Sequence, residues 1–114
     1  MDFKTFNRLK DAYKNSLGQG KPSLNSEGKE ITSQSQSIWF DRKTIMKLLE
    51  QTDERSGGLK MYFSAYDKET TKDPEEIGKL TVVLAASNDN EDPTEENQID
   101  NGGRLCPPHC KDDI

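Results

Sequence analysis

A chain of 114 residues makes one small domain, and folding at this length buries only about two-thirds of the unfolded surface. The net charge of −5 is uneven, because residues 88–114 carry eight acidic and two basic side chains while the body before them carries 13 and 14. The near-neutral body lacks the clustered Lys and Arg that displace counterions from nucleic acid, and no apolar run approaches a membrane span or a signal-peptide core, so the expectation is a cytoplasmic protein with neither nucleic-acid nor membrane partners.

Leu, Ile, Val and Phe number 21 of 114 residues, near the level that signals disorder. Twelve of them lie between Ile38 and Leu84, joined by Trp39, Met46, Met61, Tyr62 and Tyr66, which places the folding core at residues 37–87.

Residues 1–17 read as an amphipathic helix. Phe3, Phe6, Leu9, Tyr13 and Leu17 recur at spacings of three and four, one face of a helix, and Asp2 is placed to cap it. A polar linker over 18–36 follows, with only Leu24 and Ile31 to offer a core. A stretch of that kind is usually functional, disordered or a tether, so the helix is expected as an arm for docking on a partner or for self-association into a homo-oligomer, the alternative being that its stripe folds back to cover the sheet.

Ile38 and Phe40 suggest a short strand before a helix that starts at Asp41, its N-cap. Phe40 and Ile45 then occupy the two positions of a hydrophobic staple. Leu59 to Tyr66 alternates as a strand does, with Leu59, Met61, Phe63 and Ala65 on one face and Lys60, Tyr62, Ser64 and Tyr66 on the other. Leu80 to Ala86 is the continuous apolar run of a better-buried strand, expected to pair antiparallel with the first. Between them, Asp73, Pro74, Glu75 and Glu76 read as a cap, a proline at the first helical position and two acids against the helix dipole. Asp92 to Glu96 repeats that signal.

The expected fold is therefore α+β, an antiparallel β-hairpin or small sheet packed on one or two helices, with an irregular acidic tail at 88–114. Ile38, Phe40, Ile45, Leu49, Met61, Phe63, Val82 and Leu84 are expected to form a single core cluster.

Reactive side chains concentrate at Cys106, Pro107, Pro108, His109 and Cys110. Cys106, His109 and Cys110 are three soft ligands, and zinc is the metal they suit, although a closed structural site takes four. The structural reading is favoured: two prolines stiffen a turn, and the cysteines pack as small apolar groups or close a tight disulfide loop. A reducing cytoplasm favours free thiols, whereas a bridge would point to export or redox sensing. Nothing supplies the orienting group or oxyanion hole that a Cys–His nucleophile needs. The acidic stretch from Asn88 fails as an EF-hand loop because Pro93 stands where the sixth-position Gly belongs; it reads as solvated and flexible, fastened to the domain by Leu105 and the cysteine pair. Tyr62 and Tyr66 beside Lys60 offer an aromatic platform for a ligand or peptide, or a face to be covered by a helix.

From Ser37 onward the chain resembles a group of small uncharacterised bacterial proteins. The likeness rests on Trp39 and Phe40 before a short helix, the strands Gly58–Tyr66 and Leu80–Ala86, and the Cys-Pro-Pro-x-Cys element of Cys106 to Cys110. It implies no activity, and it implies a cysteine-only role for the last element, since the residue at the position of His109 varies in similar chains.

The function expected from these features is a non-enzymatic protein–protein interaction module of inhibitor or immunity type, with Phe3, Phe6, Tyr13, Tyr62 and Tyr66 as candidate contact residues. The alternative is a metal-binding or redox-responsive protein working through Cys106 and Cys110. One His and no cofactor-binding loop argue against an enzyme.

Overall fold

The computed structural model describes residues 1–111, so Ile114 lies outside the described residues. Its centre is an antiparallel sheet of order β2-β3-β4, made of β2 (Gly57–Ala65), β3 (Leu80–Asn88) and β4 (Ile99–Asp100). β2 and β3 pair along their whole length, from Gly57 opposite Asn88 to Ala65 opposite Leu80. A separate ribbon joins β1 (Ser37–Trp39) to β5 (Arg104–Cys106), with Ile38 opposite Leu105. Two helices, α1 (Phe3–Lys14) and α2 (Arg42–Leu49), complete an α+β domain.

Residues directly opposed across a strand pair point to the same side of the sheet. One face therefore carries Lys60, Tyr62 and Ser64 with Val83, Ala85 and Thr81, and the other carries Leu59, Met61 and Phe63 with Ala86, Leu84 and Val82.

α1 closes the first face. The Asp2 carboxylate accepts the Thr5 N–H at 2.6 Å, satisfying a donor that a helix start leaves open. Phe6 and Leu9, 3% and 0% exposed, pack with Tyr66, Val83, Ile99 and Leu105, and Phe3, Ile38 and Tyr62 border this cluster. The helix expected as an arm is thus part of the core. Its apolar stripe identified a face to bury but not what covers it.

The segment 18–36 returns along the sheet instead of trailing as a tether. Leu24 and Glu30 form an isolated antiparallel bridge, the Gln34 side chain accepts from Leu80 N–H at 2.6 Å, and the Ser35 hydroxyl donates to the Leu80 carbonyl at 2.7 Å. Gly78, at φ +85°, passes so close to Leu24 that a Cβ there would sit 2.3 Å from its carbonyl oxygen. Polar contacts hold this segment, which is why its composition resembles a linker.

α2 covers part of the second face. Asp41 caps it by accepting the Thr44 N–H at 2.8 Å, and the Phe40 and Ile45 pair joins Leu48, Leu84, Ala86, Leu59 and Val82 in a second cluster. The single core expected from the sequence is therefore two clusters on opposite faces, with Ile38 in the first. Met61 and Phe63 belong to neither; each is 60% exposed. The cause is length: eight helical residues span about 12 Å, whereas nine strand residues span about 30 Å.

The tail is ordered by the sheet. Ile99 and Leu105, 4% and 0% exposed, enter the first cluster, and Gly103 lets β5 approach, since a Cβ there would meet Ile38 at 2.5 Å and the Phe40 ring at 2.7 Å. The tail's turn falls at Glu96–Gln98, after the Asp92 and Pro93 signal, with the Gln98 side-chain amide oxygen accepting from Thr94 and Glu95 N–H. Its acids meet the body: Lys60 pairs with Asp92 at 2.9 Å, and the Phe3 N–H donates to the Glu96 carboxylate at 2.7 Å.

Candidate functional sites

Among the described residues, besides the exposed Leu24 and Trp39, two places gather side chains that the core does not consume. The first is the open half of the α2-side face. Met61 and Phe63 project from β2, an edge strand, and the Tyr13 ring lies 5.8 Å from the Phe63 ring. α2, which packs on another part of this face, exposes the cations Arg42, Lys43 and Lys47; Met46 is 42% exposed, and no acid lies between Arg42 and Leu49.

The second is the Cys106–Cys110 loop. The cysteines are bonded to one another, so neither thiolate is free to hold a metal, and the zinc set of Cys106, His109 and Cys110 is replaced by a disulfide. The bridge and the Leu105 carbonyl, which accepts the His109 N–H at 2.7 Å, fix the loop beside the single turn Pro74–Glu76. There His109 Nε2 stands 2.7 Å from Asp73 Oδ2 and 3.6 Å from Glu76 Oε2. The three side chains are partly buried and offer one ligand atom each within 4.8 Å of one another.

The contact residues expected from the sequence are distributed differently. Phe6 and Tyr66 are buried, and Phe3 packs at the border of the same cluster. Tyr62 meets Phe6 edge to face at 5.0 Å, and its hydroxyl donates to Asp92. Lys10 lies over both rings, at 4.1 Å from the Phe6 centroid and 5.3 Å from that of Tyr62. Burial first, then the Asp92 carboxylate, push the Tyr62 phenol well above its ordinary range, so it stays a neutral donor. The aromatic platform is thus filled by the chain's own groups. Tyr13 alone of the five reaches the open face. Strand alternation does not mark Met61 and Phe63 as surface residues, and nothing near His109 in the chain marks Asp73 and Glu76 as its neighbours. Only their acid-plus-turn pattern marked the latter pair, and helix capping explained that pattern without a partner.

Among the described residues no helix is long and apolar enough to cross a membrane. No protein family, curated protein or solved structure matches the chain.

Proposed function

We propose that the chain is a protein-binding module whose docking surface is the open strip of β2, and that its partner is a protein presenting apolar side chains fringed by carboxylates. The observation that carries this is the 60% exposure of both Met61 and Phe63 on a strand whose other face is closed. Large apolar groups left bare beside a packed core mark interaction surfaces more often than isolated exposed ones do. The cations of α2 set the partner's charge, since complementary charge steers encounter and disfavours wrong partners. Binding without catalysis also fits an inhibitor or immunity-type role. The Cys106–Cys110 bridge fits work in an oxidising compartment or under redox control, because such bonds persist poorly where glutathione keeps thiols reduced.

The test uses the purified chain as bait in extract of its source cell, beside Phe63→Ser and a Lys43→Glu, Lys47→Glu double variant, each with an unchanged melting temperature. One acidic protein retained by the wild type and lost by both variants supports the reading. Retention of the same proteins by all three baits, or of none by any, overturns it.

A further inference from the structure

We infer that Asp73, Glu76 and His109 form a binding site for one divalent transition-metal ion, of which zinc is the representative. This inference does not depend on the docking surface.

The geometry carries it. Asp73 caps one short turn and Glu76 ends it, and His109 reaches them from 33 or more positions away on a loop closed by the Cys106–Cys110 bridge. Each carboxylate has one oxygen held by the protein: Asp73 Oδ1 accepts the Glu75 N–H at 2.9 Å, and Glu76 Oε1 accepts the Thr71 hydroxyl at 2.6 Å. The other oxygen of each faces His109 Nε2, at 2.7 and 3.6 Å. Groups that orient ligands in this way are the usual outer shell of a metal site. Ligands about 2.1 Å from a tetrahedral centre stand about 3.4 Å apart, so atoms already within 4.8 Å of one another need only small side-chain adjustments.

The donor set selects the ion. One neutral imidazole and two carboxylates neutralise a dication, and imidazole suits zinc and its first-row neighbours, whereas magnesium and calcium prefer all-oxygen shells. Side-chain exposures of 38%, 34% and 17% for His109, Asp73 and Glu76 leave the ion a route in and room for water as a further ligand. Pro74, Glu75, Pro107 and Pro108, next to these ligands in the chain, help line an open depression of ≈ 510 Å³ together with Lys79 and residues of the 25–33 segment. The rival account is an ion pair complete in itself, with His109 donating to Asp73.

Titration of the oxidised, tag-free full chain separates the two, with zinc followed by calorimetry and cobalt by visible absorption. The expected result is saturation at one ion per chain, weakened at least about tenfold in His109→Ala and in Glu76→Gln, since even outer-shell changes cost that much. Both variants are checked for an intact bridge by mass and for cooperative melting. Asp92→Asn, which alters an exposed carboxylate elsewhere, should bind as the wild type does. No saturable binding, or equal affinity in the wild type and His109→Ala, or equal weakening in Asp92→Asn, overturns the site.

Discussion

The two faces of the central sheet carry the same strands to opposite ends. On the α1 side, Lys60, Tyr62 and Ser64 of β2, the more polar set, are covered by a twelve-residue helix and by the returning tail. On the α2 side, Leu59, Met61 and Phe63, the more apolar set, are covered only in part. Alternation in a sequence separates two faces but ranks them only when one is clearly polar. Here Tyr62 and the stem of Lys60 can be buried as readily as Met61, with their polar ends turned to Asp92. What decides burial is the length of the covering helix and where the chain ends return, and neither is written in β2 itself.

Truncation on the closed face should have the largest effect. Leu9→Ala and Leu105→Ala, both at side chains with 0% exposure, are each expected to cost about 2–5 kcal/mol in urea unfolding. Against the roughly 5–15 kcal/mol of a typical domain, either is a serious loss. A cost below about 1 kcal/mol at Leu9 would return α1 to the role of a detachable arm.

Gly103→Ala acts at the seam between the faces, where the new methyl would press on Ile38 of the first cluster and Phe40 of the second. Over-packing of this kind costs about 1–3 kcal/mol. The loss should appear as a lower melting temperature, with faster amide exchange on both sides of β5. Exchange that quickens in the tail alone would show that β5 does not tie the faces together.

A smaller effect comes from acid. Hydrogen bonds from Thr5 and from Thr44 hold the carboxyls of Asp2 and Asp41 below their ordinary value of 3.8. The folded state then binds fewer protons than the unfolded one, so their stabilisation is present above about pH 4 and is lost as pH falls through the lowered values. Asp41→Asn keeps a capping oxygen but does not titrate, and its stability should fall less steeply below pH 4 than that of the wild type. Parallel acid limbs would remove the Asp41 cap from the account of α2.

Local features were legible in the sequence. The caps Asp2, Asp41 and Asp73, the Phe40 and Ile45 pair, and the antiparallel pairing of β2 with β3 all follow from residues near one another or from strand periodicity. Long-range closure was not. Segment 18–36 is held by side-chain amides and hydroxyls on the backbone of Gly78 and Leu80, contacts that leave no hydrophobic pattern. Beside Ile114, which lies outside the described residues, the tail shows only Ile99 and Leu105 among many acids, yet each of these two enters the core through a strand of two or three residues. His109 could not be joined to Asp73 and Glu76 without the register that sets β5 against β1.

One face of β2 supports the fold while the apolar strip on the other does not, and urea unfolding of a Met61→Ser, Phe63→Ser double variant separates the two roles. The expected stability is within about 0.5 kcal/mol of the wild type, as for ordinary surface substitutions, at an unchanged denaturant slope. A loss above about 2 kcal/mol would contradict it, placing those side chains in the core and leaving the domain with no open face.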